Sequence, residues 1–452
     1  MTRLALATFL SLALLACPND PGSDGGTGGG RGGGTGGGTG LTPFGVSELD
    51  GTARDTTYFA IAVDATTERV GVAYYTPAGT ETFPDTPDYD LKYVEWKQGQ
   101  VSTPEKIATV QRFVGLTVAF DPASGEPLVG HLGGTPQPGT SIFWFQSDAV
   151  ISRRNAGVWT PTTVAEEGDQ VTCGNVVSDR GFLVGLWPSL LFDPTGKMYF
   201  AYRDAHNGQF GNQDYHASDV ELWEGTSMPP ATPTCLAQGG NNKDAWGGHI
   251  QLALGADSQP AIVYDQMPGT PDNNGGNVIF QRRQANGTWT NAGAIASVSN
   301  TQTGPSLAYD ATEGYGIAYI ERAGSELFYV KSANGTNWNA KDAVYASGTG
   351  GWYPSLAMDP INHEPAIAFY ICSARTATAE TNCPANEDRL VVFQRIANEW
   401  RETIVDEEGG HSPKIAFFAS GKRVVVYRQP SSVDGSGNPP ANVGALKIAV
   451  ER

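Results

Sequence analysis

Positive charge is scarce in this sequence. Its 452 residues include 29 lysines and arginines against 47 aspartates and glutamates, which gives a formal net charge of −18 at pH 7. Phosphate-rich surfaces would be repelled by such a chain rather than neutralised by it. We therefore expect no nucleic-acid partner, and we expect contact with a membrane only through a lipid anchor.

Helical periodicity and long hydrophobic runs are also missing. No stretch repeats apolar residues at helical spacing over three turns. The apolar run from Leu4 to Ala16 is too short for a stable membrane span. Nevertheless 40% of the residues are hydrophobic and 57 are glycine, so the sequence predicts a large core built from short strands and many tight turns.

The first 43 residues indicate export. A positive start, a short apolar run and a small residue before Cys17 are typical of a secretory signal over residues 1–16. Leu14-Leu15-Ala16-Cys17 resembles the lipobox of bacterial lipoproteins, which implies a diacylated Cys17. Residue 18 is proline, so nothing marks the chain for inner-membrane retention, and the resemblance implies an outer-membrane or cell-surface location. The alternative is an ordinary secretion signal with an incidental cysteine.

Residues 17–43 are predicted to be a tether. Pro18 to Gly40 consists largely of short glycine runs broken by threonine, and such a segment cannot bury enough apolar area to become ordered. With its lipid anchor at Cys17, this segment would hold a folded domain off the membrane, and we expect that domain to be monomeric.

Cysteine is scarce as well. Besides Cys17 there are only Cys173, Cys235, Cys372 and Cys383, an even number that predicts disulfides in an exported chain. Cys372 and Cys383 are close in sequence within one predicted loop, so we pair them and leave Cys173 with Cys235. A zinc site is the alternative, but no CxxC or HxxxH spacing supports it, and we expect no metal site of this kind.

One unit recurs seven times over residues 44–452. Each copy has an apolar strand, a turn that usually begins with aspartate, and a second strand that usually ends in an aromatic residue. The turn positions, about 50–70 residues apart, are Asp64, Asp121, Asp193, Gly255, Asp310, Asp359 and Phe418. Two further strands follow most copies, commonly joined by an Asn/Gly turn with tryptophan beyond it, as in Asn286-Gly-Thr-Trp289.

These units predict an all-β fold, a seven-bladed β-propeller of four-stranded antiparallel blades in a single domain over residues 44–452. The last unit ends with a third strand and no fourth, whereas Phe44-Gly-Val-Ser-Glu-Leu-Asp50 precedes the first unit as an unassigned strand. We predict that this strand completes the seventh blade and closes the ring.

The blade pattern resembles the BNR or sialidase-like propeller families over about nine-tenths of the chain. Their Asp-box motif, Ser-x-Asp-x-Gly-x-x-Trp, has its nearest match in Ser332-Ala-Asn-Gly-Thr-Asn-Trp338, which is one residue short and has asparagine for aspartate. Arg395-Ile396-Ala397 departs from the Arg-Ile-Pro motif and falls in an outer hairpin. The resemblance therefore implies the fold and not sialidase activity.

One end of the predicted ring concentrates candidate binding residues. Here aromatic residues precede the first strand of several blades, charged residues follow the second strand, and long loops connect onward over residues 76–90, 204–219, 265–277, 371–389 and 429–443. The candidate ligand-binding residues are Trp187, Arg203, Asp204, Trp246, His249, Asp265, Arg322, Trp352, Tyr353, His411 and Arg428. Tyr58 and Tyr75 belong to the same end. The alternative is that the aromatics plug the channel and the charges are solvated.

Two functions fit this surface. The favoured hypothesis is a tethered, non-enzymatic propeller that binds a glycan or protein ligand, because aromatic faces stack on sugar rings and polar groups bond their hydroxyls. The alternative is an exported polysaccharide lyase or glycoside hydrolase using Asp204, His206, His249, Asp265 or Glu321, which requires two titratable groups to converge in a cleft.

No cofactor is expected. The sequence contains no GxSxG, P-loop, HExxH or EF-hand motif. Two oxygen-rich segments, residues 272–276 and 434–438, admit calcium but are interpreted as ordinary loops.

Overall fold

Antiparallel blades of four main strands form most of the described structure. The computed structural model describes residues 44–53, 58–78, 89–110, 115–134, 148–166, 168, 170–173, 176–179, 183–205, 218–226, 233–237, 245–267, 275–300, 304–321, 326–346, 350–372, 388–407, 409–429 and 445–452. Within these residues there is no helix, and hence none long and apolar enough to cross a membrane. The predicted signal peptide and the predicted tether lie outside these residues.

Seven blades follow one another along the chain, each running from an inner to an outer strand. Blade 1 comprises β2 (Phe59–Asp64), β3 (Arg69–Pro77), β4 (Tyr89–Lys97), the short β5 (Gln100–Val101) and β6 (Glu105–Val110). Blade 2 comprises β7 (Thr117–Phe120), β8 (Pro127–Gly133), β9 (Asp148–Asn155) and β10 (Val158–Ala165). A hairpin that the repeat did not predict, β11 (Gln170–Cys173) and β12 (Val176–Asp179), then precedes blade 3.

The next three blades keep the same order. Blade 3 comprises β13 (Leu183–Phe192), β14 (Met198–Ala205), β15 (Ser218–Gly225) and β16 (Thr234–Ala237). Blade 4 comprises β17 (Ala245–Leu254), β18 (Pro260–Met267), β19 (Gly275–Arg282) and β20 (Gly293–Asn300). Blade 5 comprises β21 (Ser306–Asp310), β22 (Gly314–Glu321), β23 (Glu326–Ser332) and β24 (Asp342–Tyr345).

The final two blades complete the ring. Blade 6 comprises β25 (Gly350–Met358), β26 (Pro365–Cys372), β27 (Asp388–Ile396) and β28 (Glu399–Asp406). Blade 7 comprises β29 (His411–Phe417), β30 (Arg423–Gln429), β31 (Ala445–Glu451) and β1 (Phe44–Asp50). Each inner strand contacts the inner strand of the next blade, and β29 contacts β2, so the predicted seven-bladed propeller is confirmed.

The N-terminal strand closes the seventh blade, as predicted. β1 pairs antiparallel with β31, and Val46 lies opposite Ala449. Leu49 is buried among blade 1 and blade 7 side chains, while Arg423 donates to both carboxylate oxygens of Glu451 at 3.0 and 2.8 Å. The first and last strands of the domain therefore share one sheet, which removes two exposed strand edges.

The turn aspartates cap the inner hairpins. The Oδ1 atom of Asp193 accepts hydrogen bonds from the backbone N–H groups of Thr195 and Lys197 at 2.8 and 3.0 Å. Asp310 accepts from Thr312 and Glu313 in the same manner. These bonds confirm the interpretation of the repeated aspartates as structural turn residues.

The tryptophans of the outer hairpins pack between blades. Trp159 meets Tyr93 of the preceding blade with ring centroids 5.3 Å apart, and Trp400 meets Tyr329 at 5.7 Å. Trp159 also donates its Nε1 hydrogen to Glu105 at 2.9 Å. Because each contact joins the outer part of one blade to the one before it, these residues stabilise the ring.

A set of hydrogen bonds, here called the junction ring, links neighbouring inner strands around the channel. In five of seven blades, a side-chain oxygen four residues before the turn position accepts the N–H of an apolar residue in the next blade. The pairs are Thr117 with Leu190 (2.9 Å), Ser189 with Leu252 (3.0 Å), Gln251 with Leu307 (2.9 Å), Ser306 with Leu356 (2.9 Å) and Ser355 with Ile415 (3.0 Å). The sequence analysis did not identify these residues, although the polar character of this position in six of seven repeats was a signal.

Candidate functional site

Three candidate residues and Ser412 share an unusual backbone conformation at the start of the inner strands. Trp187, His249, Tyr353 and Ser412 have φ values of 44°, 51°, 57° and 51°, in the left-handed region that favours glycine. Gly115 and Gly304 hold the equivalent place in blades 2 and 5, with φ values of 69°. The pairing register skips at the four non-glycine sites, so each is a bulge.

This backbone is strained where the residue carries a bulky side chain. A left-handed conformation costs about 1–3 kcal/mol for such residues, and strain of this kind concentrates at functional sites. Glycines two positions earlier, Gly185, Gly247 and Gly351, also have positive φ values. The Gly-x-aromatic spacing was therefore a sequence signal for these bulges.

Blades 3 and 4 bring five candidates together, here called the blade 3/4 cluster: Trp187, Arg203, Asp204, His249 and Asp265. The Trp187 ring lies close to a cationic side chain, Arg203, and to a titratable one, His249. The Arg203 guanidinium carbon is 5.2 Å from its centroid, and the His249 ring centroid is 5.6 Å away. Trp187 therefore joins a blade 3 arginine to a blade 4 histidine.

A histidine–aspartate pair lies within this cluster. His249 Nδ1 is 3.0 Å from Asp265 Oδ2, and the imidazole side chain is 24% exposed whereas the aspartate is 2% exposed. In a neutral imidazole, a Nδ1 hydrogen donated to the carboxylate leaves the Nε2 lone pair as a proton acceptor. The structure therefore brings two titratable groups into contact, a proximity that the sequence could not show.

Arg203 and Asp204 are buried beside this pair. Burial lowers the pKa of Arg203 to about 10, against the opposing effect of Asp204. Asp204 lies directly opposite Asp219 in the β14–β15 register, and both are fully buried. The sequence analysis did not single out Asp219, because it considered charges that follow the second strand and Asp219 lies at the start of the third.

Trp246 lies at the edge of the same cluster. Its backbone oxygen accepts a hydrogen bond from Ser218 Oγ at 2.7 Å, and its ring packs near Tyr264 with centroids 6.1 Å apart. Trp246 is half-buried, so it combines a packing role with partial access to solvent.

Blades 6 and 7 form a second group, here called the blade 6/7 cluster: Trp352, Tyr353, Tyr370, His411 and Arg428. The Tyr353 and His411 ring centroids are 4.5 Å apart, and Trp352 and Tyr370 are 6.1 Å apart. Burial and the nearby Arg428 hold the pKa of His411 well below its usual value. Trp352 and His411 are buried in this cluster, as Arg203 and Asp265 are in the blade 3/4 cluster.

Several expectations concern residues outside the described set. Arg322, His206 and the segment 434–438 fall there, as do most of residue range 272–276 and Cys383. Cys235 is disulfide-bonded, and its strand β16 contacts β11, which ends in Cys173. Both disulfide pairings stay predictions.

Metal binding has no cluster to support it in the described part of the chain. No group of three His, Cys, Asp or Glu side chains there could hold a metal ion. Glu321 forms an ion pair with Lys341 at 2.7 Å, in a cavity of about 270 Å³ on the side of blades 4 and 5, apart from the blade 3/4 cluster.

No protein-family model matches the sequence, and no curated protein matches it at a significant level. Solved structures do match. A fungal alcohol oxidase of the AA5 family, in complex with copper, has a TM-score of 0.52 at 11% identity, over 91% of this chain and 76% of that chain. A PL25 polysaccharide lyase, an ulvan lyase bound to -[GlcA(1-4)Rha3S]-, has a TM-score of 0.50 at 13% identity, over 86% and 91% of the two chains.

A Hadza microbial sialidase matches with a TM-score of 0.47 at 9% identity, over 90% of this chain and 68% of that chain. The fold of this chain is a seven-bladed β-propeller. Identities this low establish the fold alone, and the activities of those enzymes do not pass to this chain.

Proposed function

We propose that the blade 3/4 cluster binds an acidic glycan. This proposal rests mainly on the position of Arg203. Its guanidinium carbon lies 5.2 Å from the centroid of the Trp187 ring, next to the His249–Asp265 pair. An indole face offers stacking surface for a sugar ring, and a guanidinium pairs with a carboxylate or sulfate. In a chain with a net charge of −18, this local cation is what an acidic polymer would need.

Binding is tested by retention on immobilised acidic and neutral polysaccharides, compared at equal ionic strength. Trp187→Ala should weaken binding about thirtyfold, the effect of about 2 kcal/mol expected when an anchoring tryptophan is truncated. Arg203→Lys keeps a cation but loses the planar group, so it should weaken binding to acidic polymers selectively. The matched control is Arg401→Lys, on an exposed outer strand.

Unchanged retention by folded Trp187→Ala and Arg203→Lys proteins would place the ligand elsewhere. Loss of retention in an Asp310→Asn protein that remains folded would do the same, since Asp310 caps a turn at the opposite end of its hairpin.

A second candidate function is β-elimination of a uronate-containing polymer, and the His249–Asp265 pair favours it. The Nε2 lone pair of His249 would take the proton from the carbon next to the uronate carboxylate, while Arg203 would offset the charge that develops there. The glycosidic C–O bond breaks as the C=C bond forms, and the departing oxygen takes a proton from solvent.

Cleavage is measured by the ultraviolet absorbance of the new unsaturated uronate. His249→Gln should abolish this signal and leave retention nearly unchanged, and Asp265→Asn should shift the pH profile of the rate. If the unmodified protein retains acidic polymers but does not cleave them, the elimination reaction is refuted and only the binding function remains.

Tethering to a membrane is proposed as well. The lipobox-like residues Leu14 to Cys17 support export with lipidation of Cys17, and more than one acyl chain gives stable anchoring. Cys17→Ser should move the protein from the membrane to the soluble fraction. An unmodified protein that takes up no fatty-acid analogue would refute the anchor.

A further inference from the structure

The junction ring is interrupted where blade 7 meets blade 1. In the five complete junctions, an oxygen acceptor lies between one inner strand and the N–H of the next. The equivalent position in blade 7 is Lys414, and the N–H that follows it in blade 1 belongs to Ile61. A lysine ammonium has three donors and no acceptor, so the side chain at this position cannot accept a hydrogen bond from the Ile61 N–H.

Blade 1 provides a comparison. Its equivalent residue is Ala60, which has no polar atom, and the next blade's N–H belongs to Val118. That junction lacks an acceptor but gains no charge. The junction of blades 7 and 1 is thus the one in the described ring that combines a missing acceptor with a cation.

In the described part of the chain, no acidic side chain forms an ion pair with Lys414. The side chain is half-buried, and among the described residues it forms no hydrogen bond or ion pair. Loss of hydration on burial lowers the pKa of Lys414 to about 8. The Lys414 ammonium therefore has no carboxylate partner among the described residues, although the sequence contains 47 acidic residues.

We propose that Lys414 and the Ile61 N–H form an oxyanion-binding site at the wall of the channel, for a carboxylate, sulfate or phosphate group. One oxygen of the anion takes the place that Ser355 Oγ holds in the preceding junction, where it lies 3.0 Å from the Ile415 nitrogen. The anion supplies acceptors to both donors and a charge to the ammonium. This site is independent of the blade 3/4 cluster, because it lies between blades 7 and 1.

The test compares the unmodified protein with Lys414→Ser and with Lys422→Ser, an exposed lysine at the other end of the same inner hairpin. Sulfate, phosphate and acetate are titrated separately against chloride at constant ionic strength. Thermal unfolding is recorded, and acylation of each lysine is followed by peptide mass spectrometry.

In the unmodified and Lys422→Ser proteins, the melting temperature should rise with the logarithm of oxyanion concentration. Acylation of Lys414 should slow by about tenfold at ten times the dissociation constant. Lys414→Ser should melt higher without oxyanion, because serine accepts the Ile61 N–H, and it should not respond to the anions.

Three results would overturn the proposal. The first is an equal rise of the melting temperature with oxyanion in Lys414→Ser and in the unmodified protein. The second is equal slowing of acylation at Lys414 and Lys422, which indicates an adventitious ion only. The third concerns Lys414→Gln, a second variant that offers an amide acceptor as Gln251 does in blade 4. If neither the serine nor the glutamine variant folds, the missing-acceptor argument fails.

Discussion

A buried histidine replaces the usual aromatic residue in blade 2. His131 Nδ1 lies 2.9 Å from the backbone oxygen of Leu132, and Nε2 lies 2.9 Å from Ser152 Oγ. Burial lowers the pKa of His131 to about 4, against the opposing effect of the Leu132 bond. The folded protein therefore keeps this imidazole neutral at pH values where the unfolded chain is protonated.

His131 is predicted to make the protein acid-sensitive. Its folded pKa lies below the ordinary value of 6.5, so the unfolded state binds the extra proton first and stability falls as pH drops from 6.5 to 4. The full contribution of His131 to the free energy of unfolding is about 3 kcal/mol. His131→Tyr, which restores the residue found in most blades, should flatten the free energy of unfolding across this window, as measured by denaturant titration.

The control for this prediction is His363→Gln, an exposed histidine on the blade 6 turn whose Nδ1 lies 2.9 Å from Asp310 Oδ2. Asp310 raises the pKa of His363, so its contribution is present below pH 6.5 and is lost as pH rises through the raised value. The two variants should change the pH dependence in opposite directions. An acid slope that survives in His131→Tyr would contradict the assignment.

At the scale of strands, the junction ring joins inner strands that otherwise belong to separate sheets. Its hydrogen bonds connect side chains of blades 2 to 6 to the main chain of the following blade. Because inner strands are edge strands, their channel-facing N–H groups need acceptors outside their own sheet. The ring supplies these acceptors without adding a strand.

Removing one acceptor should be measurable. Ser189→Ala and Ser355→Ala are each expected to reduce the free energy of unfolding by about 1 kcal/mol, the usual value for one hydrogen bond. Ala60→Ser offers the reverse change, since its hydroxyl would reach the Val118 N–H in a junction that lacks an acceptor. Denaturant titration of the three variants should give losses for the first two and a gain for the third.

Ser420→Ala is a suitable comparison, since Ser420 is exposed on the blade 7 turn and has no place in the junction ring. If Ser420→Ala reduced the free energy of unfolding by as much as Ser189→Ala or Ser355→Ala, the loss could not be assigned to the hydrogen bonds of the junction ring.

At the scale of the molecule, ring closure depends on a strand from the opposite end of the chain. β1 covers the outer edge of β31 and contributes Leu49 to the core shared by blades 1 and 7. Blade 7 therefore cannot form its complete sheet until residues 44–50 have joined it.

Deleting residues 44–50 should expose the β31 edge and cause aggregation or a large fall in melting temperature. A milder change, Leu49→Ala, should cost about 2–5 kcal/mol through the cavity it leaves. Trimming residues 18–40 is the control and should leave the melting temperature nearly unchanged, because their composition predicts no core packing. Equal effects from the two deletions would contradict the closure.

The repeat pattern alone determined the number of blades, the closing strand and the structural role of the turn aspartates. The number of blades and the turn aspartates depend on local chemistry, since alternation, turn residues and spacing act within one hairpin or between adjacent ones. The closing strand followed from the strand count, because the seventh unit lacked a fourth strand and residues 44–50 were unassigned. The same logic assigned the candidate residues to one end of the ring, because that end follows from strand direction.

Tertiary structure decided which of those candidates meet. Trp187 and His249 are separated by a whole blade in sequence, and their contact depends on the angle between blades and on the bulges that turn their side chains. The burial of Trp352 and His411 depends on the same packing between blades. Sequence periodicity specifies each sheet, whereas the distance between side chains on different sheets is set only when the ring closes.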